Sequence, residues 1–167
     1  MNFSDLARAR YSVRSFKDTP VEQEKLDQIL EMGRIAPTAC NDQPQRIKVI
    51  TGADLAKVDE FTPCRFGAPL VLLVCYDKSS CWTRSFDGAA SGEVDASIVA
   101  THLMLAAQEQ GLGSVWVMYF DPAKAVDIFA LSENIIPVAV LPVGYPAKGA
   151  RASSQHGQRV DLTDILL

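Results

Sequence analysis

The sequence predicts an α/β domain with roughly four core strands, and three observations carry that prediction. Leu70 to Cys75 and Ile136 to Val143 are apolar runs of strand length, each of a kind that is covered on both faces of a sheet. Stretches of helical period lie between the strand runs, with recognisable start and stop residues. No linker, repeat or low-complexity segment interrupts the 167 residues, so one domain spanning 1–167 is expected.

The elements follow in order. A short helix precedes Arg10. Thr19-Pro20-Val21-Glu22 has the pattern of a capping box, with Pro20 at the first helical position, where its missing N–H costs nothing. The helix after it sets Leu26, Ile29, Leu30 and Gly33 on one face and stops before Pro37. Arg46 to Thr51 alternates as a half-buried strand, turning Ile47 and Val49 inward. Leu70 to Cys75 is the first buried strand.

Ser91 to Gln110 is the longest helix, with Glu93 and Asp95 in its first turn and Gly111 ending it. Val94, Ile98, Thr101 and Leu105 form one stripe, while Leu103, Met104, Ala106 and Ala107 cover other faces. A helix apolar nearly all round is deeply buried, or it packs on a partner subunit as well as on its own core. Val115 to Met118 is another strand, Asp121-Pro122 caps a helix to about Phe129, and Ile136 to Val143 is the second buried strand. From Gly144 the chain is polar and irregular until Leu162 to Leu167, a tail that calls for something to dock on, such as a partner subunit. The alternation taken alone suggests parallel βαβ units. The Rossmann fingerprint is missing, because Gly111-Leu112-Gly113-Ser114 precedes a strand instead of joining strand to helix, and so is the P-loop pattern.

Charge is distributed unevenly. The chain carries a net charge of −4, yet Arg8 to Lys17 and Lys148 to Arg159 hold 7 of its 16 Lys and Arg residues and no acid. If the two stretches meet, they form a local anion site, suited to phosphate; apart, they are two solvated basic faces. An acidic chain with two short basic clusters suits a small phosphate ligand better than nucleic acid, which needs a broad basic surface. No segment reaches the ~18 apolar residues that span a bilayer. The first residues lack the apolar core of a secretory signal. Cys40, Cys64, Cys75 and Cys81 show neither C-x-x-C nor zinc spacing, so no metal site is expected, and they read as reduced thiols of a cytoplasmic protein, Cys75 as core.

Three stretches have chemical potential. In extended chain Arg10, Ser12 and Arg14 point to one side, where two guanidinium forks and a hydroxyl can hold a phosphate and polar ring atoms; the same pattern is common on plain surfaces. The stretch Ala36-Pro37-Thr38-Ala39-Cys40-Asn41-Asp42-Gln43-Pro44-Gln45-Arg46 presents the Asn41 and Gln43 amides, which can read the edge of a flat heterocycle or simply make a turn. Trp116, Met118, Tyr119 and Phe120 either wall a flat apolar pocket or belong to the core.

Together these stretches resemble the FMN-dependent nitroreductase family over essentially the whole chain. The resemblance rests on RARYSVRSF, APTACNDQPQRIKVI, SGEVDASIVATHLMLAAQEQGLGSVWV and VLPVGYPAKGARASSQHGQRVDL. It is nearest to small members that carry Gln-Pro-Gln-Arg where larger relatives have Gln-Pro-Trp. It implies an α+β fold, a mixed, largely antiparallel sheet packed between helices, with the C-terminal extension docked on the partner subunit. It implies a homodimer with FMN in the interface and NAD(P)H as reductant.

By the same resemblance Arg10, Tyr11, Ser12 and Arg14 form the N-terminal flavin-binding motif, and Arg151 and Arg159 the C-terminal positions at the phosphate. Pro37, Thr38, Ala39, Asn41 and Gln43 belong to the loop that reaches the flavin from the partner. The backbone at Met118 and Tyr119 lies over the flavin. Met118 stands where the small members usually have Gly, which bears on substrate size, and Arg151 where Lys is common. His156 reads as structural. The implied activity is ping-pong hydride transfer from NAD(P)H to a small-molecule acceptor, such as a nitroaromatic or quinone. Arg14 would stabilise the negative charge of the reduced flavin. The alternatives are a flavin-binding protein without broad reductase activity (an FMN carrier, redox sensor or specialised flavin-consuming enzyme) and a structural domain joined through its basic ends.

Overall fold

The structure is a computed structural model that describes residues 2–167. Its core is a four-stranded sheet in the order β1-β2-β4-β3, with β1 Gln45–Thr51, β2 Leu70–Asp77, β3 Gly113–Ser114 and β4 Ile135–Gly144. Every neighbouring pair is antiparallel. The α+β architecture implied by the resemblance is present, and the parallel βαβ units suggested by alternation are not.

The reason lies in connection lengths. β1 ends at Thr51 opposite Leu70, the start of β2. The helix between them, α3 (Leu55–Phe61), has 7 residues. At about 1.5 Å per residue it covers ~10 Å, too little to carry the chain back along a strand. The 18-residue helix α4 (Gly92–Glu109) does run back, ~27 Å, so β3 starts at the same end of the sheet as β2 and points the same way. β4 then inserts between them, leaving a split crossover in which the two parallel strands never touch.

Alternation along β2 divides the core in two. Leu70, Leu72 and Val74 face α4 and α2 (Gln23–Arg34), against Leu26, Ile29, Ala96, Val99 and Leu103. Val71, Leu73 and Cys75 face α3 and α5 (Pro122–Phe129), with Val13, Phe16, Val58 and Ala125. The strand is sealed on both sides as predicted, and burial pushes the Cys75 thiol up to about 12, so it is an inert core residue. Pro137 lies in the inner strand β4 where a bulge shifts the register between Val74 and Cys75, a position that spares the ladder its missing donor.

Three local expectations are corrected. Glu22, not Thr19, is the N-cap of α2, and no side chain caps that end. Its carboxylate instead accepts the Tyr145 hydroxyl at 2.7 and 2.8 Å, a partner 123 residues away, while Lys25 donates to the same hydroxyl at 2.7 Å. In β1, Val49 is exposed and Ile50 is buried, because the second core layer reaches this edge strand. The strand expected over 115–118 is displaced to β3, which ends at Ser114, and within 115–118 only Val117 bridges, to Val140. The Asp121 cap of α5 is as expected, its side chain accepting from Lys124 N at 3.0 Å.

On α4 the buried residues are Gly92, Asp95, Ala96, Val99, Ala100, Leu103, Ala106 and Ala107. Of the Val94-Ile98-Thr101-Leu105 stripe, Val94 (61%) and Thr101 are exposed, while Ile98 and Leu105 are half-buried and Ile98 packs on the core. The tail after Gly144 has one short 3₁₀ turn, Leu162–Ile165, and exposes Val160, Leu162, Ile165 and Leu166.

Two predictions follow from this packing. A Cβ on Gly113 would stand 2.4 Å from Val13 Cγ2 and 3.2 Å from the Pro146 ring, so Gly113→Ala should wedge apart three segments at once. The expected loss is about 1–3 kcal/mol, read by urea unfolding. Arg65 hydrogen bonds hold the Asp59 carboxyl below its usual 3.8. The folded-state pKa is depressed, so this pair stabilises above pH ~3.8 and its contribution fades as pH falls through that range. Half-exposed, it is worth only ~0.2–1 kcal/mol. Asp59→Asn should therefore lower Tm slightly at pH 7, and the gap to wild type should close as pH falls below the usual 3.8.

Candidate functional site

The two basic ends meet. Val13 N donates to Ser114 O at 3.0 Å and Ser12 bridges Ser114, which lays the N-terminal segment along the edge strand β3. Ala147 N donates to Ser15 O at 3.0 Å, and Lys17 N to Tyr145 O at 2.9 Å. The Tyr11 hydroxyl is 3.5 Å from Ala150 O, and its ring meets the His156 ring edge-on at 6.3 Å. Tyr11 and Val13 turn into the core, so Arg10, Ser12 and Arg14 take the opposite side of the extended chain.

The cations gathered there have no counter-charge. Among the described residues Arg10, Arg14, Lys148, Arg151 and Arg159 form no ion pair, whereas Arg34, Arg46, Arg65 and Arg84 each hold a carboxylate. Arg14 Nη1 reaches only Ser12 O at 3.4 Å, and Arg159 turns back on the His156 and Gln158 carbonyls. Unpaired guanidinium groups on two docked segments create positive potential on an otherwise acidic molecule.

The Met118-Tyr119 turn lies on the same edge, four residues beyond Ser114 and so ~13 Å along extended chain. It is braced from behind: the buried Thr62 hydroxyl donates to Tyr119 O at 2.6 Å, Asp121 N to Phe61 O at 2.9 Å, and Phe120 N to Met118 O at 3.0 Å. The N–H groups of Met118 and Tyr119 have no partner among the described residues. Both side chains are exposed, at 68% and 75%, beside a groove of about 430 Å³ shared with Thr62 and Pro63. Trp116 and Phe120 are half-buried, so only part of this aromatic run is core.

The Pro37–Gln43 loop lies elsewhere. Cys40, Asn41 and Gln43 have φ of 51, 58 and 50°, the left-handed region that side chains other than Gly and Asn seldom enter. The shape is held by Asp95, 1% exposed, which accepts Ala39 N at 2.9 Å and the Ser91 hydroxyl at 2.6 Å. Thr38 Oγ1 accepts Gln43 N at 3.1 Å. Pro37, Asn41 and Gln43 are exposed, and Thr38 and Ala39 half-buried.

Asp95 is in the first turn of α4, and the Ser12 contact at Ser114 lies just past its last turn, so ~21 Å of helix, from Asp95 to Glu109, separates the loop's anchor from the end that leads to the basic segment. One protomer docks the segment of Arg10, Tyr11, Ser12 and Arg14 against the tail that carries Arg151 and Arg159, and Met118 and Tyr119 follow ~13 Å further along the chain from Ser114. It does not bring Pro37, Thr38, Ala39, Asn41 or Gln43 to them. Sequence reading missed Asp95 and Thr62 as the supports of these segments. Asp95 was visible as an acid in a first turn, but its bond to Ala39 spans 56 positions and left no local signal.

Comparison with known proteins adds a lineage. The model of the nitroreductase family matches residues 7–63 and 63–145. A nitroreductase family protein of Clostridium difficile 630 superposes with a TM-score of 0.94 at 44% identity, covering 100% of this chain and 98% of that one. A Bacillus subtilis protein named FMN reductase [NAD(P)H] is 30% identical over 157 residues, 81% of this chain and 62% of its own length. A structure from Exiguobacterium sibiricum in complex with FMN shares the fold, with a TM-score of 0.85, 19% identity, and coverage of 99% and 96%.

Removing the Asp95 carboxylate tests the loop's support. Asp95→Ala strands the Ala39 N–H and the Ser91 hydroxyl, so about 1–3 kcal/mol of stability should be lost. Limited proteolysis should then cut within 37–43 at protease levels that leave the wild type intact.

Proposed function

The chain belongs to the nitroreductase family, and from that premise we propose that it is an FMN-dependent NAD(P)H oxidoreductase acting as a homodimer. Each flavin site would combine the basic edge of one protomer with the Pro37–Gln43 loop of the other. The observation that carries this reading is the docking of two basic, acid-free segments beside a turn with free amides. The residues present suit FMN. Its phosphate needs unpaired cations, which Arg10, Arg151 and Arg159 provide, and Ser12 adds a hydroxyl. Its ring needs a flat apolar wall with donors, which Met118 and Tyr119 provide through side chains and N–H groups. The length and matched coverage of the Clostridium difficile relative support a place among the small members of the family.

Bound FMN would supply a two-electron carrier that takes hydride from NAD(P)H and hands it to a second substrate. The chain supplies the rest. Arg14, exposed on the side of Arg10 and Ser12, opposes negative charge at the pyrimidine end of the ring system, a preorganised electrostatic role. Asn41 and Gln43 are exposed on the left-handed turn, Gln43 Nε2 donating to Asn41 O at 3.3 Å, and their amides would meet the ring edge from the partner's side. Val94, exposed on α4, and the apolar tail from Val160 to Leu166 give the second protomer its docking surface. A nitroaromatic or quinone acceptor suits the apolar side chains exposed at Met118 and Tyr119.

Anaerobic visible spectra test the reading directly. The expected result is a yellow protein bleached by NADH or NADPH and recoloured by menadione or a nitroaromatic. Flavin that binds but does not bleach would replace a reductase with a carrier, and protein unable to take up FMN would overturn the proposal. Arg10→Ala should raise the FMN dissociation constant about tenfold or more, the worth of one charge-assisted hydrogen bond. Arg14→Ala should slow flavin reduction in stopped flow by about a hundredfold while changing FMN affinity less.

A further inference from the structure

The seam between β3 and the N-terminal segment buries a hydroxyl that the fold itself does not use. Ser114 is 3% exposed, and its Oγ has no hydrogen-bond partner among the described residues. Leu112 and Trp116, on the same side of the chain, and Val143, its partner across the ladder to β4, all pack in the α4 layer of the core. In so apolar a row, Ala or Val would serve packing as well. A buried hydroxyl without a bond destabilises the free protein, so its presence calls for a reason.

Cross-strand order puts that hydroxyl directly behind Ser12. Ser114 pairs with Val143 on one side and bridges Ser12 in parallel on the other, and Val13 N donates to Ser114 O at 3.0 Å. Residues paired across a ladder share a face of the sheet. One row therefore runs outward from the core as Val143, Ser114 and Ser12, with Arg10 and Arg14 flanking Ser12 on that face. Ser12 is half-buried, and among the described residues only its carbonyl accepts a side-chain bond, from Arg14 Nη1 at 3.4 Å. Neighbouring strands lie ~4.8 Å apart, so two serine side chains on one face can close to the ~2.7 Å of a hydroxyl–hydroxyl bond by rotation about χ1. The seam holds that spacing tightly, since Gly113 has no room for a Cβ against Val13.

We propose that Ser114 is a positioning residue for the flavin phosphate, donating to Ser12 Oγ so that the Ser12 hydroxyl is aimed outward at a phosphate oxygen. This rests on the FMN site proposed above. A Ser12 hydroxyl that accepts from behind keeps its one proton for the anion in front. The outer bond goes to a charged acceptor and is the strong one, and it polarises the inner bond in turn. The cost of the unmade bond falls on the free protein and is lifted when the anion orders both hydroxyls, which adds to affinity. Arg10 and Arg14 attract the phosphate by charge, and the paired hydroxyls fix where it sits.

Fluorescence titration of the flavin-free protein with FMN and with riboflavin tests the relay, because riboflavin carries the ring without the phosphate. Ser114→Ala should raise the FMN dissociation constant about three- to tenfold, the worth of one hydrogen bond, and leave that for riboflavin unchanged. Ser114→Cys, close to serine in size but a weak donor, should do the same. An FMN-to-riboflavin ratio at the wild-type value in either variant overturns the proposal. In a Ser12→Ala background, Ser114→Ala should weaken FMN binding no further, since it acts through Ser12. Two additive losses would make the hydroxyls independent contacts and overturn the relay. Thermal unfolding of the flavin-free protein reads the other side of the balance. Ser114→Ala should match or exceed the wild-type Tm there, because it removes a buried hydroxyl that has no bond. A lower Tm would mean that the hydroxyl is already satisfied in the free fold, and it too overturns the proposal. Wild-type protein that binds FMN no better than riboflavin fails the earlier reading instead, and shows it before any variant is made.

Discussion

The rest of the molecule depends on where α4 lies. Two glycines let it sit as close as it does: a Cβ on Gly92 would be 2.2 Å from the Tyr76 ring, and one on Gly33 2.7 Å from Leu103 Cδ2. With the helix pressed on β2 and α2, its first turn fixes the Pro37–Gln43 loop through Asp95, and its end delivers the chain into β3 beside the basic segment. The helix acts as a rigid spacer, and its length keeps the two halves of the candidate site apart within one protomer. A site that needs both halves must be assembled by two chains.

Electrostatics make the same division. Over most of the surface, acids and bases neutralise one another at short range, as in Arg34–Glu31 and Arg84–Asp87, both at 2.6 Å. Those pairs are exposed and worth little individually. Their importance is that four of the arginines outside residues 10–17 and 148–159 are each occupied by a carboxylate, whereas Arg10, Arg14, Arg151 and Arg159 form no ion pair among the described residues. Like-charged groups held together in those two stretches repel, so the arrangement costs stability in the unliganded protein and favours any anion that relieves it. The tail is polar and irregular, and its docking depends on backbone bonds to Ser15 and Lys17. Anion binding and tail order are consequently linked.

Much of this was legible in the chain itself. Leu70 to Cys75 read as a doubly covered strand because six apolar residues in succession leave no face for water, and Ser91 to Gln110 read as a helix because its caps and composition agree. The convergence of the basic ends followed from charge alone as one of two possibilities, and the resemblance chose between them. Strand direction was not legible locally. It depends on whether a connection is long enough to cross the sheet, and the short helix Leu55–Phe61 is too weakly patterned to announce itself. The capping box misled for a similar reason. Glu22 has the right spacing to cap backward onto Thr19, but Tyr145, brought close only by the folded tail, is the stronger partner. The supports of the site, Asp95 and Thr62, are invisible for the same cause, each acting over more than fifty residues.

The left-handed run at Cys40, Asn41 and Gln43 gives the final constraint. Asn tolerates that conformation, but Cys and Gln each enter it at a cost of about 1–3 kcal/mol. Glycine at 40 and 43 would remove the strain and also the side chains, leaving the loop soft and bare. The Ala39 N–H, donated to the buried Asp95 carboxylate, anchors the strained form instead, and Gln43 stays exposed with its backbone N–H tied to Thr38. A loop serving only as a connection between α2 and β1 has no need of this expense. One that has to present amides to a ligand carried by another chain does, because every degree of freedom frozen beforehand is entropy not lost when the two chains close on it. In the two-chain site proposed above, strain in the loop, unpaired charge on the far edge and the rigid helix between them would be three parts of one preorganised whole.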